Sequence, residues 1–254
     1  MPDDINRSLA RGIEILRAYR PGTDLMGNGE LAERTGLPRA TVSRLTRTLV
    51  EGGMLAHDRR QRAYRLAAPV LSLAHAMQSG SPVLAVARPM MQAEAQRRRI
   101  NVGLAVADRD QMVYLDSVRH GQRVAWRNIV AGQRVPIELT SLGRAWLASC
   151  DASARQRWIQ RLRESRRATR GWRALERDIA QAVESVRREG FCWASWQPRV
   201  VALATPIIVP GQAVHVLNMS TTGDEAAAAT VARLRGPLLT LSARLSESVA
   251  GLAG

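Results

Sequence analysis

The chain has 254 residues and a mass of 27.9 kDa, room for one large domain or two modest ones. Hydrophobic residues make up 46% and charged residues 23%, the balance of a folded core, which excludes a wholly disordered chain. All 37 basic residues are arginine, against 22 acids. The resulting +15 makes a polyanion the first partner to consider, because guanidinium stays charged and forks onto phosphates and base edges. No apolar run approaches the roughly 20 residues that span a bilayer. The acidic start Met1-Pro2-Asp3-Asp4 lacks the apolar stretch of a signal peptide, so a cytoplasmic location with no membrane partner is expected. Cys150 and Cys192 form no CxxC pair and read as small buried hydrophobes. His57, His75, His120 and His215 show no metal-ligand spacing, so neither a metal nor a cofactor is expected.

Ser8 can cap a first helix to about Tyr19, with Leu9, Ile13 and Leu16 on one face. Pro21-Gly22 stops it. A short helix follows at Gly29–Thr35, then Gly36, then a helix from Pro38 to about Glu51 ended by Gly52-Gly53. Ala32, Gly36, Val42 and Leu45 stand where a helix-turn-helix needs a small crossing residue, a glycine turn and branched apolar residues on the buried side of its second helix. The other side of that helix carries Arg39, Thr41, Ser43, Arg44 and Arg47, groups suited to base edges and phosphates in a major groove. Met54–Ala56 and Ala63–Leu66 read as strands of a wing whose tip holds Arg59, Arg60 and Arg62, placed for the DNA backbone or the minor groove.

These residues resemble a known family. The run from Gly29 to Leu45, then Leu49–Leu55 and Tyr64-Arg65-Leu66, is similar to the winged helix-turn-helix of IclR bacterial transcription regulators. Pro69 to about Ser79, with Val70, Leu73, Ala74 and Met77 in helical spacing, corresponds to the family's linker helix, which helps pair subunits.

Further along, a helix is expected to about Arg99, then strands at Asn101–Ala107, Met112–Ser117 and Val124–Val130. Ser141–Ser149, Ala154–Arg163 and Trp172–Glu189 read as helices. Phe191–Trp196, Val200–Ile208 and Ala213–Ser220 read as strands, and Asp224 to about Val249 as a closing helix burying Val231, Leu234, Leu238, Leu241 and Leu245. The pattern is α+β with a mostly antiparallel sheet. Val113–Asp116, Gly132–Pro136, Thr140–Ala145, Arg188–Phe191 and Ala204–Ile207 resemble successive pieces of the IclR effector-binding domain. The expected organisation is a winged helix-turn-helix at 1–68, a linker helix at 69–80 and a GAF-like effector-binding domain at 81–254.

The resemblance implies that this last domain binds a small organic acid. The main-chain N–H groups of Ser141 and Leu142 would hold its carboxylate at a helix N-terminus, a position that favours anions. Val124, Arg127 and Val135 match pocket positions, although strand parity sets Arg127 opposite Val124. The far wall is expected from Trp193, Trp196, Val200, Ala202 and Asn218. Ser195, Trp196 and Gln197 stand where the family usually carries acids, and a pocket with two tryptophans and no carboxylate favours an apolar or aromatic acid. Spaced by three, Trp193 and Trp196 should face opposite ways on a regular strand.

The leading function is therefore a ligand-responsive regulator, repressor or activator, binding an operator in double-stranded DNA as a homodimer or homotetramer. An enzyme acting on a small organic acid in the same pocket is the alternative. No GxGxxG, P-loop or Ser-His-Asp order supports it, so no enzymatic activity is expected. A nonspecific nucleic-acid binder driven by charge is a third class. Only +4 of the charge lies in residues 1–80, whereas Arg155–Arg188 holds eleven arginines and four acids that the family resemblance leaves unexplained.

Overall fold

The computed structural model describes residues 5–120, 130–165, 171–209 and 211–251. Internal contacts divide the chain into two compact units, Met1–Gly80 and Ser81–Gly254.

The first unit runs α1 (Arg7–Ala18), β1 (Met26–Gly27), α2 (Asn28–Thr35), α3 (Arg39–Glu51), β2 (Leu55–Asp58), β3 (Ala63–Leu66) and α4 (Ala68–Ser79). Asn6 rather than Ser8 caps α1, its side chain accepting the Leu9 N–H at 3.0 Å. The core gathers Ile15, Met26, Leu31, Val42, Leu45 and Leu55. Ile15 is thus the buried anchor of α1, while Leu9 and Ile13 stay exposed beside Ile5. Periodicity located an apolar stripe, but a helix with apolar residues on two sides does not reveal which side the core covers. Gly36, at φ +69°, makes the left-handed turn between α2 and α3. The two-residue β1 was not foreseen, since so short a strand has no period. It pairs with β3 in an antiparallel sheet of order β1-β3-β2. The Tyr19 hydroxyl donates to the Tyr64 carbonyl at 3.0 Å, tying α1 to that sheet; burial, with lesser contributions from Tyr64 and Glu30, pushes its pKa up to about 12. No residue of α4 is buried, and Leu71, Leu73 and Met77 are all exposed.

The second unit runs α5 (Pro82–Arg98), β4 (Asn101–Asp108), β5 (Gln111–Val118), β6 (Arg134–Pro136), α6 (Ser141–Ser149), α7 (Ala152–Ser165), α8 (Trp172–Glu189), β7 (Cys192–Ala194), β8 (Val200–Ile207), β9 (His215–Thr222) and α9 (Ala227–Ala250). Its six strands form an antiparallel sheet of order β6-β5-β4-β9-β8-β7. Alternation divides the strands between two cores. Val102, Leu104, Leu203, Leu217 and Met219 pack with α5 and α9. Ala105, Met112, Tyr114, Val135, Ala204 and Val216 pack with α6, α7 and α8. The closing helix buries Leu234, Leu238, Leu241 and Leu245 as its spacing predicts, with Val249 added and Val231 only half-buried. The strand expected at Phe191–Trp196 contracts to three residues, and that expected over Val124–Val130 lies outside the described residues except for Val130.

Every described non-glycine residue with a left-handed backbone is an arginine: Arg62, Arg99, Arg109 and Arg199. At Arg99 the conformation ends α5, with φ +56° and ψ +45°. A side chain there costs roughly 1 kcal/mol relative to glycine, the usual residue of such caps. Arg99→Gly is expected to raise the melting temperature of this unit by about 2–4 °C in a calorimetric scan. An unchanged or lowered value would mean that the exposed guanidinium supplies a compensating contact.

Candidate functional site

The polar side of α3 follows from its helical geometry. Val42, Leu45 and Thr46 are buried, which turns Arg44 and Arg47 outward together with Arg39 at the first turn, while Thr41 and Ser43 are half-buried on the flanks. Thr46 is fixed from inside: its hydroxyl lies 3.1 Å from the Ser43 carbonyl, to which it donates, and 3.3 Å from Asn28 Oδ1. In the wing, Asp58 accepts from the backbone N–H groups of Arg60 and Gln61, both at 3.0 Å, and from Arg65 at 2.9 Å. The backbone bond from Gln61 is the main reason its carboxyl titrates below the usual range, with Arg60 and Arg65 assisting. This turn presents Arg59, Arg60 and Arg62, all exposed. Among the described residues, none of Arg39, Arg44, Arg47, Arg59, Arg60 or Arg62 pairs with a carboxylate. Six guanidiniums, on one helix and the hairpin that follows it, are available to phosphates and base edges.

In the second unit, Thr140 caps α6. Its hydroxyl donates to the Pro136 carbonyl at 2.8 Å and accepts the Gly143 N–H at 3.2 Å. The N–H groups of Ser141 and Leu142 have no acceptor in the helix by construction, and none among the described residues. Both residues are only 1% exposed. Buried donors of this kind are rare and suit an anion. The sheet surface on this side is low in its middle strands: register aligns Gly103 with Asn218, Asn218 with Ala204, and Ala202 with Ser220. Asn218 is 3% exposed, and its Oδ1 has no hydrogen-bond partner among the described residues. A Cβ at position 103 would sit 2.5 Å from the Tyr114 ring and 2.6 Å from Asn218 Oδ1, so only glycine leaves both in place. Burial raises the Tyr114 pKa, opposed in part by its hydrogen bond to the Asn218 amide, and the phenol stays protonated.

Beside these residues a cavity of about 610 Å³ opens among α6, α8, β7 and the segment after β7. Arg144, Asp178, Ser185, Cys192, Ser195 and Trp196 are among its lining residues. Arg144 is nearly buried, donating from Nε to the Glu138 carbonyl at 3.0 Å and from Nη2 to Asp178 at 3.4 Å. The Cys192 thiol donates to the Ser141 carbonyl at 3.4 Å, linking the cavity wall to the first turn of α6. Burial, opposed by Arg144, pushes this thiol up to about 12, so it is held protonated and is no nucleophile.

The expected pocket residues therefore divide. Ser141, Leu142, Val135, Ala202 and Asn218 gather on the inner sheet face and the adjoining turn, and Val200 begins the same edge of β8. Trp196 packs on this side. Trp193 pairs with Leu203, whose side chain belongs to the opposite core, and is 44% exposed; it lines the 610 Å³ cavity together with Trp196 and also a second groove beside Phe191, Ala228 and Val231. Val124 and Arg127 lie outside the described residues. Gly103, Tyr114, Arg144 and Asp178 were not foreseen: the first two meet Asn218 only through strand pairing, and the last two meet across two helices. Among the described residues no single helix is long and apolar enough to cross a membrane, and no cluster of His, Cys, Asp or Glu could hold a metal ion.

A helix-turn-helix with a basic wing, joined to an α+β unit of this topology, defines a DNA-binding transcriptional regulator. Residues 8–59 match the IclR helix-turn-helix domain, and residues 75–246 match the bacterial transcriptional regulator IclR C-terminal domain. The chain belongs to the IclR family. It is 41% identical over 160 residues to the HTH-type transcriptional regulator TsaQ1/TsaQ2 of Comamonas testosteroni. That stretch covers 62% of this chain and 56% of the relative, little more than half its length. The crystal structure of an IclR family regulator from Brucella abortus superposes with a TM-score of 0.86 at 31% identity, over 98% of this chain and 94% of that one. An IclR homologue from Microbacterium hydrocarbonoxydans, complexed with 4-hydroxybenzoate, shares the fold, with a TM-score of 0.71 at 21% identity over 96% and 99% of the two chains.

Proposed function

We propose that the second unit binds a small organic acid with an apolar or aromatic body and thereby changes the affinity of the first unit for a DNA operator. Arg39, Thr41, Ser43, Arg44 and Arg47 enter the major groove. Arg59, Arg60 and Arg62 lie on the backbone or in the minor groove. The observation that carries the ligand reading is the pair of buried, acceptor-free N–H groups at Ser141 and Leu142, close to a sheet face where Asn218 Oδ1 is also unpartnered. The carboxylate takes the two N–H groups, and Trp196 with the alanine-lined sheet face takes the body. That a homologue of the same fold holds 4-hydroxybenzoate supports an aromatic acid. Such a ligand acts on DNA only by binding two arrangements of the protein unequally. The chain works as a homo-oligomer, dimer or tetramer. The exposed Ile5, Leu9 and Ile13 of the first unit and Leu71, Leu73 and Met77 of α4 support pairing with a second copy.

Thermal shift with benzoate, 4-hydroxybenzoate and glyoxylate tests this. A ligand at about 100 times its Kd adds about 2.7 kcal/mol, or about 5–10 °C in a unit of this size. Ser141→Pro removes one N–H at a helix position that tolerates proline, following a Thr140 already in the extended conformation proline requires. It should abolish the shift that Ser141→Ala retains. Equal shifts in both variants, or no shift with any of the three acids, would overturn the carboxylate assignment.

A further inference from the structure

We infer that the outer face of α8 is a second DNA-contacting surface, lying on the unit that binds the small molecule. At 3.6 residues per turn, Arg173, Arg177, Ala180, Glu184, Arg187 and Arg188 fall within an arc of about 100° and extend along about 22 Å of helix. All six are exposed, opposite the buried Ile179, Ala182 and Val183. Of the other acids of the helix, Glu176 accepts from the Trp172 indole at 2.7 Å and Asp178 faces Arg144, while Glu189 pairs with Arg188 at the C-terminal end of the stripe, leaving three unpaired arginines along it. Arg173, Arg177 and Arg187 have no hydrogen-bond or ion-pair partner among the described residues.

The chemistry of the stripe selects its partner. A protein-docking surface concentrates its energy in apolar or aromatic anchors set among paired polar groups. This stripe has no larger apolar side chain than Ala180 and one acid among four arginines. A duplex carries one negative charge per about 1.7 Å of axis, so 22 Å of it offers about 13 phosphates, far more than the arginines need. A B-DNA backbone, read without sequence preference, is therefore the occupant. The chain already holds DNA through its first unit, which brings neighbouring duplex close to the second at high local concentration. The stripe itself, four arginines against Glu184, supplies +3 of the +11 that lies beyond Gly80.

The test uses the full-length protein and a random-sequence duplex of about 60 bp, with affinity followed by fluorescence anisotropy as KCl is raised. For R173Q/R177Q/R187Q, the slope of log K against log [salt] should become shallower by about 2–3 per bound subunit, since each phosphate contact contributes about 0.9. Affinity at low salt should fall at least about tenfold. R173K/R177K/R187K, which keeps the charge, should retain most of the slope. R97Q/R235Q/R244Q removes the same charge from other exposed sites of the unit and should change the slope by less than about 1. A wild-type slope in the α8 glutamine variant, or an equal loss in the control, would overturn the assignment. Because the groove-reading helix is untouched in every variant, binding to a selected operator through the first unit is measured separately and can persist when the α8 contact fails.

Discussion

Replacing Gly143 with alanine is expected to dislodge α6 from the sheet and to lower the stability of the second unit by at least about 3 kcal/mol. A Cβ at this position would lie 2.2 Å from both the Cα and the carbonyl oxygen of Ile137. Neither is the end of a flexible side chain, so rotamer changes offer no relief. Ile137 is fully buried, held between Pro136 at the end of β6 and the Thr140 cap that bonds both the Pro136 carbonyl and the Gly143 N–H. The clash and the cap thus occupy the same few residues, and relaxing one breaks the other. For a unit of this size the loss corresponds to a fall of about 6–12 °C in melting temperature. Circular dichroism of the full-length protein would read it, together with loss of any acid-induced thermal shift. A wild-type melting temperature for Gly143→Ala would show that the turn before α6 packs less closely than described.

The winged helix-turn-helix was legible in the sequence because its constraints are local. Ala32, Gly36, Val42 and Leu45 lie within a few turns of one another, so fixed offsets carry the geometry. The alternation of strands and helices in the second unit was legible for the same reason. What was not legible depends on pairing between distant segments. Asn218 is meaningful because Gly103 stands beside it on β4 and Tyr114 beyond that on β5, and no local pattern links the three. The tryptophans are an intermediate case. Spacing by three implied opposite faces; pairing sets Trp193 beside Leu203 and β7 ends before Trp196, which packs inward, yet both tryptophans line the cavity beside α8. Charge was the least legible property. Arginines 134, 144 and 155 look the same in sequence as Arg173 or Arg187, yet the first three bind Asp108, Glu138 and the carbonyls that end α6, and the last two bind nothing among the described residues.

Arg44→Ala is expected to lower affinity for the cognate operator by about 10- to 100-fold for each half-site read, the loss of one bidentate contact worth about 1–3 kcal/mol. Binding to random DNA should change little. The contrast with the wing gives the prediction its content. Arg60 is exposed at the hairpin tip, and if the wing tracks the DNA backbone, Arg60→Ala should weaken operator and random DNA alike and make the salt slope shallower by about 1. Both side chains are exposed, so neither variant should alter folding or oligomeric state. The operator can be obtained by selecting duplexes from a random pool with the wild-type protein, then measuring each variant on the selected and on a scrambled sequence. If Arg44→Ala lost affinity equally on both sequences, Arg44 would be a backbone contact, and base reading would have to come from Arg39, Ser43 or Arg47. If it lost none on either, α3 would not be the helix that enters the groove.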